Sequence, residues 1–313
     1  MHREQVLSFL IILLLVGSIV VGVLYTPAPA PSLRTARPSF PVKEEGNIAI
    51  IEIYGPIQIE QPAPFRFTPQ GSDYVVSKLR ELSNIKTVKA VILRINSPGG
   101  TVAAVQEIYQ EIERLKKQGI KVVASLGDIA TSGAYYIASA CDVIVADPGT
   151  LTGSIGVIIP LMNFQGLMQK LGIKAESIKS GKYKDIGSSS KEMTPEEREI
   201  LQKLVDNAYQ QFLSAVKKGR GNKVKGKWEN IADGRIFTGE QAYKLGLVDY
   251  LGNLEEAKTI AKDLAGIKGE PVFIRERKGW QRLFELREDA LFNWKYYLKK
   301  DPLPYYLPLF RQP

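Results

Sequence analysis

Residues 128–140 read DIATSGAYYIASA, and residues 120–126, IKVVASL, lead into them. The leading run is short, apolar and rich in β-branched residues, the pattern of a buried strand. Small residues follow, and residues 135–140 can wind as a helix. The stretch therefore predicts strand, turn and helix, with Ser132 and Gly133 at the junction. A serine at such a turn presents its hydroxyl at the end of a sheet, and the next backbone N–H points the same way. That geometry suits a nucleophile with an adjacent oxyanion donor. Ser-Gly at a helix start is also ordinary capping chemistry, so the surrounding chain has to decide.

Outward from this junction the pattern alternates. Residues 47–55 (NIAIIEIYG) read as a strand, 72–82 as a helix, and 88–95 (VKAVILRI) as a strand. Residues 101–117 form an amphipathic helix with Val102, Val105, Ile108, Ile112 and Leu115 at helical spacing. Residues 142–146 are a further strand. Such alternation predicts an α/β domain with a parallel sheet and helices packed outside it. Between the second strand and its helix lies NSPGG, residues 96–100. Pro98 fixes one backbone angle, while Gly99 and Gly100 allow a tight turn and close approach by a ligand. Their N–H groups fall at a helix N-terminus, which favours a negative oxygen. An ordinary β-to-α turn would use similar residues, so NSPGG alone does not decide. Residues 147–159, DPGTLTGSIGVII, place Ser154 ahead of another apolar strand, where spacing alone makes it a turn residue.

Composition narrows the chemistry. Over 313 residues, 44% hydrophobic and 24% charged residues are those of a globular protein. A single cysteine, Cys141, excludes an internal disulfide framework. The one histidine is His2, so neither a Ser-His-Asp arrangement nor a His/Cys metal site is expected in the domain, and no cofactor is called for. Acid–base work then falls to Lys, Asp, Glu or Tyr. Residues 177–191, SIKSGKYKDIGSSSK, carry Lys179, Lys182 and Lys184. Most lysines in such a loop are solvated. If Ser132 is a nucleophile, one of them has to act as its base, with a pKa lowered from about 10.4 to near neutrality at a cost of roughly 4 kcal/mol. The net charge of +9 comes without zinc spacing or an arginine-rich recognition stretch, so a basic surface facing anionic lipid is expected rather than nucleic acid.

The ends of the chain carry the membrane reading. Residues 6–25, VLSFLIILLLVGSIVVGVLY, are uncharged, and as a helix they would span about 30 Å. A cleaved secretory signal, with Ala28 and Ala30 near the cleavage point, is the rival, but the apolar run exceeds the usual signal core. The organisation expected is a short cytoplasmic flank (1–5), a transmembrane anchor (6–25), a Pro-rich spacer (26–46), a domain (47–268) and a C-terminal amphipathic tail (269–313). The domain is placed on the extracytoplasmic side of the cell membrane because the N-terminal flank is short. In the tail, Trp280, Leu283, Phe284, Leu291, Trp294 and Leu298 share a helical face that Arg287 interrupts. A helix packed on the core or a neighbouring subunit, or an interfacial membrane helix, would each fit. Residues 194–197 begin a long helix: Thr194 caps it, Pro195 takes its first position and Glu197 completes a capping box. Residues 232–252, ADGRIFTGEQAYKLGLVDYLG, read as structural.

NSPGG, ATSGAYYIA, LTGSIGV, SGKYKD and DGRIFTGEQAYKLGLVD, in that order, make residues 47–268 and the anchor resemble the short, membrane-anchored form of the signal peptide peptidase A family. The resemblance implies a Clp protease/crotonase-like spiral of repeated ββα units and a Ser-Lys serine peptidase. It implies Ser132 as nucleophile, Lys184 as general base and Ser154 as the serine that orients the lysine. Gly99, Gly100 and Gly133 are implied for the oxyanion. Ala134 stands where many members have a second glycine. Further implied are remnant signal peptides and other apolar peptides as substrates, and a homo-oligomeric ring in which serine and lysine can come from adjacent protomers. The rivals are an acyl-CoA-handling crotonase, a related membrane serine peptidase that cuts specific membrane proteins, and a non-catalytic membrane scaffold. The first needs neither the anchor nor the SGKYKD lysine. The last does not need Ser132, Lys184 and Ser154 together.

Overall fold

The computed structural model describes residues 47–59 and 71–275. The expected anchor, the spacer and the amphipathic helix of the tail lie outside them. Among the described residues no helix is long and apolar enough to cross a membrane.

The sheet is built on β1 (Ile48–Tyr54), β2 (Ala90–Ser97) and β3 (Lys121–Thr131), paired in parallel. Between them run α1 (Ser72–Ser83) and α2 (Val102–Lys117), and α3 (Gly133–Ser139) follows β3 directly. Strand β3 serves two neighbours along its length. Its first half pairs with β4 (Val143–Ala146), and its end, Ile129–Thr131, pairs with β5 (Leu151–Gly153). β5 pairs antiparallel with β6 (Ile236–Thr238), and β4 pairs with the two-residue β7 (Tyr250–Leu251). At the opposite edge β8 (Phe273–Arg275) lies parallel to β1. The sheet therefore takes its edge strand from beyond Lys268, in the first residues of the stretch read as tail.

Both faces of the sheet are covered, which is why β1 to β3 read as near-continuous apolar runs. Ile51, Leu93, Ile95, Val122 and Leu126 face α1, α2 and α3, whereas Ile48, Ile50, Ile92 and Val123 lie under α7 (Leu254–Leu264) through Ala257 and Ala261. On α2 the expected apolar face is buried from Val105 to Leu115, with Ala104 joining it. Val102 stays exposed because it lies in the first turn, at the rim of the sheet. The long helix α5 (Pro195–Arg220) starts on the capping box read from sequence: Thr194 Oγ1 accepts the Glu197 N–H and Glu197 accepts the Thr194 N–H. A second capping box, Thr238 with Gln241, starts α6 (Gly239–Lys244).

The apolar run after Ser154 departs from expectation. Residues 155–164 form no strand, and Ile158, Ile159, Leu161 and Met162 are exposed. β5 ends at Gly153, before the apolar run, and β6 occupies its free edge, so the run has no ladder to join. The short α4 (Gln165–Lys170) follows, and residues 171–184 are exposed without exception.

Candidate active site

The junction at Ser132 is where the sheet ends and α3 begins. Ser132 has φ 54° and ψ −124°, and Ser154 has φ 53°; they are the only non-glycine residues with positive φ among the described residues. Such conformations cost of order 1–3 kcal/mol each and persist only where neighbours enforce them. Here the ladder enforces them. The Ser132 N–H donates to Gly153 O at 2.9 Å, and the Ser154 N–H donates to Arg235 O at 2.8 Å. One hydrogen bond thus sets the predicted nucleophile beside the residue that precedes Ser154. A sharp strand-to-helix turn of this kind lifts a serine hydroxyl clear of the sheet.

A bulge brings the NSPGG turn against this junction. Ile95 pairs with Leu126, but two residues on, Ser97 pairs with Ala130, so β3 carries extra residues around Asp128. Asn96 repairs the ladder by accepting the Ile129 N–H through Oδ1 at 3.0 Å. The added twist delivers residues 98–100 to the start of α3. Contact there is close. A Cβ on Gly99 would lie 2.7 Å from the Gly133 nitrogen and 2.9 Å from Ser132 Cβ, and one on Gly133 would lie 3.2 Å from the Gly100 nitrogen and 2.5 Å from Val105 Cγ2. A Cβ on Gly100 would fall 1.7 Å from Ile57 O. Only glycine fits at these positions.

Accounting for the amides shows which ones face a reacting oxygen. Gly99 donates its N–H to Ser97 Oγ at 3.1 Å, and Thr101 donates to Ile57 O at 2.9 Å. Pro98 has no N–H. Among the described residues the amides of Gly100 and Gly133 have no acceptor. They are neighbours at the N-termini of α2 and α3, and Ser132 stands between them and β5. Gly100 and Gly133 thus present two free amides side by side at the junction. Gly99, grouped with them by the resemblance as a turn glycine, takes the positive-φ position of that turn, at 100°. Sequence reading quoted Ser97 only as part of NSPGG and missed its role; a serine two residues before a glycine in a turn is the signal of a local side-chain-to-amide bond.

Helix α3 is held from three sides. Tyr135 donates its hydroxyl to Leu247 O at 2.8 Å, and Tyr136 packs edge-on to Tyr109 and stacked on Phe212. Behind Leu247, the buried Arg220 donates to Asp249 Oδ2 and to Gly246 O, each at 2.7 Å. Asp249 also accepts the Ile144 N–H and the Lys223 ammonium. Burial pushes the Asp249 carboxyl upward, but these donors outweigh it and hold the group below the usual carboxylate range.

The lysines sort by partner. Lys179 and Lys191 both bind Asp185, at 2.7 and 3.1 Å, and Lys191 reaches Glu197 at 2.5 Å. Lys182 pairs with Glu196. That hydrogen bond raises the Lys182 pKa, opposite to what a general base needs. Lys184 is exposed, and no described residue bonds its ammonium. The chain thus brings Ser132, Ser154, Gly99, Gly100 and Gly133 together. It does not bond Lys184 to either serine.

Comparison with known proteins places the chain in a family. The model of peptidase family S49 matches residues 114–268, a stretch that contains Ser132, Ser154 and Lys184. A Synechocystis sp. chain named as a candidate protease is 45% identical over 233 residues, 74% of this chain and 79% of its own. A similarly named Methanocaldococcus jannaschii chain is 39% identical over 228 residues, 72% of this chain and 69% of its own. An Enterococcus faecium chain named as a candidate signal peptide peptidase SppA is 41% identical over 185 residues, 58% of this chain and 53% of its own.

Proposed function

The chain belongs to peptidase family S49 and is a serine peptidase, and from that premise we propose that it is a Ser-Lys endopeptidase that degrades remnant signal peptides at the membrane. The observation that carries the reading is the strained Ser132, held at φ 54° beside the unspent amides of Gly100 and Gly133. In the assembled dyad Lys184 takes the Ser132 hydroxyl proton as Oγ attacks the peptide carbonyl. The two amides receive the oxyanion and stabilise its charge. Lys184 then returns the proton to the leaving amine. Water, deprotonated in turn by Lys184, hydrolyses the acyl-enzyme and restores the serine.

Lys184 lies in a run of exposed residues with Leu171, Ile173, Ile178 and Tyr183, preceded by Ile158, Leu161, Met162 and Phe164. Exposed apolar groups in such number mark an interaction surface. We assign this arm to a second copy of the chain, so that the dyad forms between neighbours in a ring of Clp protease/crotonase-like protomers. Residues 6–25 would anchor the assembly, with the catalytic domain on the extracytoplasmic side and a basic surface toward anionic lipid.

The test is cleavage of an apolar signal-peptide fragment by the full chain in detergent, together with mixed assembly of Ser132→Ala and Lys184→Ala chains. The reading predicts that wild type cuts, that each variant alone fails, and that the mixture regains activity. Cleavage by Ser132→Ala contradicts the mechanism. An inactive mixture that is assembled as wild type contradicts the shared dyad.

A further inference from the structure

We propose that Ser97 and Thr131 are positioning residues that select the Gly100 amide as an oxyanion donor and lock the donor turn to the nucleophile junction. The proposal rests on the peptidase reading above and deepens it. Four bonds fix the turn, and each has a different role. From inside, the fully buried Ser97 Oγ accepts the Gly99 N–H at 3.1 Å. From the side of the nucleophile, the buried Thr131 hydroxyl donates to Pro98 O at 3.2 Å. From the opposite side, Ile57 donates to Gly99 O and accepts from Thr101, both at 2.9 Å. These contacts occupy the N–H groups of Gly99 and Thr101 and the carbonyls of Pro98 and Gly99, and leave the Gly100 N–H free beside Gly133.

The selection follows from the two side chains. In a turn of two glycines either amide can rotate toward the site, because neither residue has a Cβ to restrict it. Ser97 removes that choice by giving the Gly99 N–H an internal acceptor. Without the hydroxyl, the Gly99 amide has no partner in a buried setting and competes to face the reacting oxygen. Thr131 fixes the second coordinate. It immediately precedes Ser132, so its bond to Pro98 O ties the donor turn to the residue that positions the nucleophile. A displacement of about 1 Å between nucleophile and donor can cost on the order of 100-fold in rate. Neither side chain touches the substrate; both act through the amides.

The experiment uses the full chain in detergent and compares Ser97→Ala with Ser97→Thr, and Thr131→Val with Thr131→Ser. Each pair separates loss of the hydroxyl from a change of shape. Peptide cleavage gives kcat and KM. Binding of a peptide boronate, which places a negative oxygen in the donor site, is measured beside binding of the same peptide to a Ser132→Ala background. We expect Ser97→Ala and Thr131→Val to lower kcat by about 10- to 100-fold with KM unchanged. Boronate affinity should fall by a similar factor while peptide affinity is kept, and Thr131→Ser should restore the rate. A wild-type kcat in both hydroxyl-free variants overturns the proposal while leaving the peptidase reading intact. An equal loss in Thr131→Val and Thr131→Ser also overturns it, because the hydroxyl is then irrelevant. If the wild-type chain neither cleaves the peptide nor binds the boronate, the peptidase reading itself fails and this proposal falls with it.

Discussion

Asp249→Asn removes the charge that holds the helix α3 support together, and its cost can be worked from the contacts. Arg220 has 1% of its side chain exposed and Asp249 11%, so the pair is almost wholly desolvated. The substitution leaves the guanidinium facing a neutral amide instead of a carboxylate, with Gly246 O as its other acceptor, and the Arg220 Nε already lacks a partner. Removing one partner of a buried pair costs about 3–5 kcal/mol. The Ile144 N–H can still donate to the asparagine oxygen, which places the expected loss near the lower end, about 3 kcal/mol. The assay is urea unfolding of the full chain in detergent, followed by far-ultraviolet circular dichroism. The pH dependence adds a second reading. Because the Asp249 carboxyl sits below its ordinary value when folded, its stabilisation is complete above the unfolded pKa of about 3.9 and is lost as pH falls through the folded value. Wild type should therefore lose stability below about pH 4 more steeply than Asp249→Asn. A variant within about 1 kcal/mol of wild type at pH 7, with an identical acid profile, would refute the assignment of Arg220–Asp249 as the brace.

Three further outcomes are expected. Gly133→Ala puts a methyl 2.5 Å from Val105 Cγ2 and over the amide pair, so kcat should drop by about 100- to 1,000-fold. Steady-state kinetics at the wild-type level would show that the pocket is not the oxyanion site. Lys182→Ala, which loses the exposed pair with Glu196 and a contact with the Tyr183 ring, should keep most of the activity that Lys184→Ala abolishes; the reverse order in a peptide assay would make Lys182 the base. Met162→Asp, at an exposed apolar position of the arm, should reduce oligomer size and activity together without changing the circular dichroism spectrum, and an unchanged mass by light scattering would remove the arm from the subunit interface.

Much of this architecture is legible in the chain because local rules and tertiary packing agree. The β3 run, the apolar face of α2 and the capping box at Thr194 each follow from spacing and residue type, and burial on both faces reinforces them. The run after Ser154 shows where such rules stop. IGVII has the composition of a strand, but a strand needs a free edge, and β6 already holds that of β5. Ile155 is buried in the core, but Ile158 and Ile159 are exposed within one chain, and composition cannot distinguish burial by the chain's own sheet from burial by another molecule. The donor turn shows a second limit. NSPGG announces a tight turn, yet the amide facing the site depends on Ser97 closing onto Gly99 and Thr131 reaching Pro98 across 33 residues. That distance is bridged by a bulge, which no periodicity reveals. The lysines are similar: Lys179, Lys182 and Lys191 are separated from Lys184 only by carboxylates that the fold brings near them.

The central claim is that Ser132 is the nucleophile and Lys184 its base, and covalent labelling tests it most directly. The full chain would be treated in detergent with a fluorophosphonate probe at matched oligomer size, as wild type, Ser132→Ala and Lys184→Ala, and the adduct located by peptide mapping. The account predicts a single adduct on Ser132 in wild type, none in Ser132→Ala, and labelling slowed at least about 100-fold in Lys184→Ala. An adduct on another residue that persists in Ser132→Ala, or a Lys184→Ala chain that labels at the wild-type rate, would contradict it.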